Sequence, residues 1–392
     1  MKITSLKAKE IKDSRGNPTV EVEVCSGDVC VKASVPSGTS TGSREVRNLP
    51  AEEATKKVNE VIAPKINGST VEPLEIDKVL FELDGTKDKS NLGANAMLGV
   101  SLAVTRLGAK LEDKPLWQYI NEISGVKVEP NKPKLFMNVI NGGAHANFNS
   151  PFQEYIVIAD DYEKAKVLFE KLGDEIKEKY GEVEMGDEGG YSPKTENIEA
   201  PFELISELLD GDMRIAIDSA GSEFYEEGNY KILEQDHSSD ELLTVYKNLV
   251  EKYPLSSIED PFAENDVDAF SKMTRESRDW NLKCGCEMLV VGDDLTTTNP
   301  ESILESARNK RVNAIIIKPN QIGTLTEVYT AVRLARGAGW KIICSHRSGE
   351  TMDSFIADLA VGIGAYGIKA GAPTQEVRRV KYERLVEIEK EL

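Results

Sequence analysis

The sequence predicts an α/β fold: a C-terminal β/α barrel preceded by a smaller α+β domain. Three observations carry this. Short apolar runs alternate with helical segments from residue 135 onward, the pattern of buried parallel strands and covering helices. From residue 214 the ends of those runs recur every 23 to 41 residues, about one strand–helix unit. The runs also end, one after another, in charged residues, and the C-terminal ends of barrel strands are where such folds keep their chemistry.

The first domain is expected to span 1–130. VEVEVCSGDVCVKASV (20–35) alternates apolar and polar residues around Ser-Gly-Asp and reads as a hairpin. SGTSTG (37–42) is a small-residue loop. AEEATKKVNEVIAPKI has apolar residues at helical spacing, and LGANAMLGVSLAVTRLGAKL is apolar enough to be an interior helix. EPNKPK (129–134) is the expected linker. The barrel, 131–392, follows with the runs LFMNVI, FQEYIVI, RIAID, LSSIED, MLVVGDD, AIIIK, KIICSH and AYGIK.

The 392 residues suffice for two domains and a large core. A net charge of −19 excludes nucleic acid and anionic membrane as partners on electrostatic grounds. No run approaches a membrane span, and the charged N-terminus has no apolar core of a signal peptide, so a cytoplasmic protein is expected. The five cysteines (Cys25, Cys30, Cys284, Cys286, Cys344) are few and odd in number, which predicts free thiols. CGC at 284–286 lacks a nearby third soft ligand and reads as structural.

Six strand ends carry the candidate chemistry: Asp218, Glu259-Asp260, Asp293-Asp294, Lys318, His346 and Lys369. Asp218, Glu259 and Asp293 on consecutive strands offer hard oxygen ligands without Cys or His, a set suited to Mg²⁺. Lys318 is a candidate base, provided burial and nearby cations depress its pKa, and Lys369 is a second cation beside it. Lysine with Mg²⁺ for proton abstraction α to a carboxylate is a pairing known from the enolase superfamily. GDEGG (186–190) offers Glu188 as an acid. HANFNSPFQE offers His145 and Glu154. SHRSGE offers His346, Arg347 and Ser348, and an arginine fork with a hydroxyl suits a phosphate.

These stretches resemble the enolase (phosphopyruvate hydratase) family over nearly the whole chain: DSRGNPTVEVEV, SGTSTG, LGANAMLGVSLAV, NVINGGAHA, QEY, GDEGG, SIEDPFAE, VGDDLTTTNP, KPNQIGT, SHRSGET and IKAGAP. The resemblance implies a barrel with an irregular ββαα start. It implies reversible dehydration of 2-phosphoglycerate to phosphoenolpyruvate with two Mg²⁺. By motif, Lys318 resembles the base at C2, Glu188 the acid at the 3-hydroxyl, and Glu154 its partner. Asp218, Glu259 and Asp293 resemble the ligands of the first metal. Ser40 resembles a lid serine on the second. His145 resembles a residue of a second closing loop, and Gln153 of QEY a substrate contact. Arg347 and Ser348 resemble the phosphate clamp, and Lys369 and His346 further active-site contacts.

The chain departs from the family at SREVRNLPAEEA, at the shortened stretch before RIAID, and in the last helix. There TQEVRR replaces R-S-E-R, and Glu387 stands where an arginine ordinarily pairs across a dimer with the acid matched by Glu21. A homo-oligomer with altered contacts is therefore expected. A paralogue acting on another hydroxy-acid predicts a changed phosphate clamp, and a non-catalytic binding protein predicts loss of Lys318, Glu188 or a ligand. HRSGET and all of these residues are present.

Overall fold

The computed structural model describes residues 1–38, 42–146, 149–233 and 235–392, the side chain of His145 excepted. The chain opens with a meander of β1 (Ser5–Lys12), β2 (Pro18–Ser26) and β3 (Val29–Ser34), antiparallel in that order. Gly27 makes the β2–β3 turn possible by taking φ +60°. Val20, Val22 and Val24 alternate along β2 and are fully buried. They face the helices α1 (Ala51–Lys56) and α4 (Ala94–Leu111), beside which lie α2 (Ala63–Ile66), α3 (Pro73–Asp84) and α5 (Leu116–Ser124). α1 and α2 are one continuous helix joined by a π-helical turn over Lys57–Ile62. α4 approaches the sheet closely at Gly99, where a Cβ would lie 2.7 Å from Val22.

The barrel begins β4 (Lys134–Asn141), β5 (Glu154–Ala159), α6 (Tyr162–Tyr180), α7 (Ala200–Ser206), the irregular ββαα start. It continues with β6 (Arg214–Asp218) and a small sheet of β7 (Tyr225–Glu226), β8 (Asn229–Ile232) and β9 (Gln235–His237), which the apolar pattern does not announce. Regular units follow: α8 (Ser239–Lys252), β10 (Leu255–Glu259), α9 (Val267–Glu276), β11 (Leu289–Gly292), α10 (Pro300–Arg308), β12 (Ala314–Ile317), α11 (Leu325–Gly337), β13 (Lys341–Ser345), α12 (Phe355–Gly362), β14 (Gly367–Lys369) and α13 (Glu376–Glu389). Strands β4–β6 and β10–β14 close into one barrel. β5 runs antiparallel to both neighbours, so its first residue, Glu154, lies at the end where the other strands finish.

Strand alternation sorts the side chains into two packed sets. Phe136, Ile156, Ile158, Ala216, Leu289, Val291, Ala314, Ile316 and Ile343 form one cluster, the barrel interior. Their neighbours, such as Ile215, Val290, Ile315, Ile317 and Ile342, join the larger core between strands and helices. Gly367 is part of this fit: a Cβ there would meet the Phe136 ring at 2.4 Å.

The expectation of free thiols is corrected. Cys25 and Cys30 sit directly opposite in the β2–β3 ladder, with Cα atoms 4.1 Å apart, and are disulfide-bonded. Cys284 and Cys286 are bonded across Gly285. Cys344 is free and buried, and burial pushes its thiol well up. The cysteine count carried no information about hairpin register, which is what pairs the first two.

The N-terminal helices are tied to the barrel by buried polar contacts. Arg106 on α4 makes a two-pronged contact of 2.6 Å with Asp353. Asp77 on α3 accepts from the backbone and hydroxyl of Thr326 in the first turn of α11, at 3.0 and 2.7 Å. Burial outweighs these bonds and pushes the Asp77 carboxyl from 3.8 up to about 6. Between those values the folded chain keeps a proton that the unfolded chain has lost. Asp77 therefore contributes most below about pH 4, and its contribution falls as pH rises to about 6. Asp77→Asn is expected to gain about 1–3 kcal/mol in urea denaturation at about pH 7.5 and almost nothing at about pH 4. An equal change at both pH values would contradict this origin.

Candidate active site

The inward alternation of the strands continues past the apolar interior into charge. After Ala314 and Ile316 the next inward position is Lys318; after Leu289 and Val291 it is Asp293; after Ala216 it is Asp218. Glu154 precedes inward Ile156 and Ile158 on the reversed strand. Four apolar residues therefore deliver Lys318 into the barrel mouth, where one cavity is lined by Gln153, Glu154, Glu188, Asp218, Asp293, Lys318, His346, Arg347, Ser348 and Lys369. All of these were anticipated from the sequence. His145 lies in the turn Gly143–Ala146, with its side chain outside the described residues, and Ser40 lies outside them altogether.

Lys369 is the electrostatic hub. Its Nζ stands 3.1 Å from Glu154 and 2.9 Å from each of Asp218 and Glu259, all buried. Burial opposes its charge, but the carboxylates outweigh burial and hold it well above the ordinary lysine value. Glu154 and Glu259 are both raised, first by burial and then by Glu188 and Asp218 respectively.

Lys318 forms an ion pair with Asp293 Oδ2. Burial pulls its pKa down, but Asp293 and Glu259 together raise it above the ordinary value. A depressed pKa was expected on condition that cations stand beside it; paired with Asp293, Lys318 is held as an ammonium. A polar relay fixes the pair. Gln321 Nε2 donates to Asp293 Oδ1 at 2.9 Å, and Thr298 Oγ1 donates to Gln321 Oε1 at 2.8 Å. The same hydroxyl accepts the Lys318 backbone N–H at 2.9 Å. Thr297 and Thr298 both sit at positive φ, +47° and +55°, a costly backbone for β-branched residues and a mark of functional strain.

Glu188 is buried 3.3 Å from His346 Nε2, and Asn138 Nδ2 lies 3.4 Å from it. The glycines of GDEGG let this turn pack closely against β4. A Cβ on Gly186 or Gly190 would strike Asn141, at 2.4 and 2.7 Å. Arg347 Nη1 meets Glu45 at 3.1 Å, both nearly solvent-free. Glu45 was missed, because it sits in the stretch where the sequence leaves its family pattern. Asp260 was seen as a strand end but given no role. At φ +39° its carboxylate accepts the backbone N–H of Asp293 at 3.0 Å and of Asp294 at 2.8 Å, which aims both side chains.

Among the described residues, two groups of donors lie close enough to share a metal ion: Asp260, Asp293 and Asp294, and Glu154, Glu188 and His346. The anticipated trio is not gathered in this way, since Asp218 and Glu259 converge on Lys369 and Asp293 on Lys318. Glu259 keeps one buried oxygen, Oε1, without a hydrogen-bond partner. An unpaired carboxylate oxygen among all-oxygen donors fits a hard divalent cation.

The comparisons with known proteins agree with this geometry. A family model described as the enolase C-terminal TIM barrel domain matches residues 131–392, and one described as the enolase N-terminal domain matches 3–120. A protein named Enolase from Methanopyrus kandleri is 43% identical, aligned over all of this chain and 96% of its own. Enolase from Thermococcus gammatolerans is 42% identical and Enolase B from Dictyostelium discoideum 40%, each over all of this chain and 95% of theirs. With both domain models matched across a barrel whose mouth carries the family's motif residues, the chain belongs to the enolase family.

Proposed function

We propose that the chain is a hydro-lyase that interconverts 2-phosphoglycerate and phosphoenolpyruvate with Mg²⁺. The observation that carries this is the placement of Lys318 and Glu188 in one cavity with the Arg347–Ser348 loop. A base, an acid and an anion clamp are thereby within reach of one small substrate. Residues 1–130 form the capping domain and 131–392 the catalytic barrel, a division supported by the extents of the two family models.

Asp218, Glu259 and Asp293 would hold the first Mg²⁺, and Ser40 on its loop the second. Bound there, the ions supply positive charge against the substrate carboxylate and the negative charge that develops on it. With Asp293 engaged by such a cation, the main partner that raises Lys318 would be lost, and burial, Arg347 and Lys369 would favour the neutral amine. Lys318 Nζ takes the C2 proton. Lys369 pairs with the substrate carboxylate. Glu188 gives a proton to the departing 3-hydroxyl, which leaves as water, and Glu154 and His346 flank it. Arg347 exchanges Glu45 for the phosphate, with Ser348 beside it. Gln153, 3.4 Å from Asp218, completes the wall. At Gly38 a Cβ would overlap Arg347, so the backbone there lies directly on the clamp.

No helix among the described residues is long and apolar enough to cross a membrane, and a cytoplasmic, small-molecule enzyme without nucleic-acid partners is the reading consistent with the acidic charge. A homo-oligomer with rebuilt contacts is also proposed. Glu21 is held within its own sheet by Lys9 at 3.0 Å and Lys32 at 3.6 Å, while Glu387 pairs with Arg384 at 3.2 Å. Glu387→Arg is expected to tighten self-association about tenfold by sedimentation equilibrium. Unchanged association would remove Glu21 and Glu387 from the interface.

The reaction is tested with a substrate pair. 2-Phosphoglycerate should be turned over, and glycerate, which lacks the phosphate, should not. Comparable turnover of both would favour a paralogue with a different substrate.

A further inference from the structure

Arg378 lies in the first turn of α13, yet no part of it reaches solvent. Its guanidinium crosses the back of the active site. Nη1 contacts His346 Nδ1 and donates to the Arg347 carbonyl at 2.7 Å. Nη2 donates to the Ser348 carbonyl at 2.8 Å and to the Asp187 carbonyl at 3.4 Å, and Nε to Gln375 Oε1 at 3.1 Å. Gly371 makes room for it: at φ +81°, a Cβ there would lie 2.6 Å from Arg378 Cδ.

We propose that Arg378 is a positioning residue for the reaction, setting the tautomer of His346 and the backbone of the loops that carry Glu188 and the phosphate clamp. A guanidinium only donates. His346 Nδ1, facing it, must therefore present a lone pair, and the ring's single proton must sit on Nε2. That N–H then points at Glu188, 3.3 Å away. Burial supports a neutral ring, lowering His346 from 6.5 to about 4. The three carbonyls held by the fork belong to Asp187, which precedes Glu188, and to Arg347 and Ser348. One side chain thus registers the acid against the clamp. Lysine cannot reproduce this, because a point cation lacks the planar fork. The proposal rests on the roles given above to Glu188, Arg347 and Ser348.

The protein has three histidines, so ¹⁵N-histidine labelling yields three ring systems, and His346→Gln assigns the one of interest. The expected spectrum shows His346 Nδ1 unprotonated and Nε2 protonated through the neutral range. In Arg378→Met the single tautomer should be lost, kcat should fall about 10–100-fold and KM should rise. Arg378→Lys keeps a cation in the cavity and guards against a variant that does not fold; it should recover the fold without the tautomer or full kcat. A wild-type proton on Nδ1 would overturn the proposal whatever the variants do, as would wild-type tautomer and kcat in both variants. A wild-type Nε2–H that Arg378→Met abolishes supports it even without turnover of 2-phosphoglycerate, in which case the assignment of the reaction is what fails.

Discussion

Lys318→Ala is expected to lower turnover of 2-phosphoglycerate by about 10⁴-fold and to abolish exchange of its C2 proton with solvent. On the proposed mechanism Lys318 Nζ takes that proton: its side chain is half-buried at the barrel mouth, it follows the inward positions Ala314 and Ile316, and its backbone N–H is pinned by Thr298. Glu188→Gln should behave differently. It should cost about 10²–10³-fold in net dehydration yet leave measurable exchange, because proton removal at C2 precedes loss of the 3-hydroxyl in a stepwise reaction. Equal and complete loss of exchange in both variants would contradict the division of roles. Both substitutions remove a group from the cavity without opening the apolar interior, so thermal denaturation should show folded proteins.

The second large effect is on stability. Lys369→Met is expected to destabilise the metal-free chain by about 3–5 kcal/mol, the range for removing one partner of a buried ionic cluster. Lys369 is the cation that Glu154, Asp218 and Glu259 share. Without it, carboxylates already raised by burial must either remain as unpaired buried charge or bind protons. The deficit should therefore shrink as pH falls, since protonation relieves the repulsion, and grow toward neutral and alkaline pH. Added Mg²⁺ should recover part of the loss by supplying a cation to Asp218 and Glu259. Urea denaturation across pH, with and without Mg²⁺, checks each part. A loss below about 1 kcal/mol at neutral pH would show that the cluster does not depend on this lysine.

What was legible in the sequence follows from periodicity. Once AIIIK and MLVVGDD are read as strands, the two-residue repeat makes Lys318 and Asp293 continue the inward face, and chain order puts the strand ends at one mouth. Eight strand runs could be named because each was apolar enough to be buried on both faces. The parts that stayed hidden depend on tertiary contact. Arg378 sits in EVRRVKYERLVEIE, a polar-looking helix whose sequence does not distinguish a buried guanidinium from surface charge. Glu45 becomes significant only when its stretch is folded against Arg347. The small β7–β9 sheet has too few apolar residues to stand out. The disulfide between Cys25 and Cys30 needed the ladder register, not the number of cysteines. The pairing of Lys318 with Asp293 is a proximity that strand order alone does not give.

The central claim is that this cavity removes a proton from C2 of 2-phosphoglycerate and expels water with the help of Mg²⁺. It is tested most directly by incubating the purified protein with 2-phosphoglycerate in D₂O and following the mixture by NMR, once with Mg²⁺ and once after exhaustive EDTA treatment. The account predicts phosphoenolpyruvate and deuterium at C2 of the remaining substrate in the first sample. In the second it predicts neither, with both restored when Mg²⁺ is returned. Phosphoenolpyruvate formed at an undiminished rate in EDTA, or no deuterium and no product with Mg²⁺ present, would contradict it.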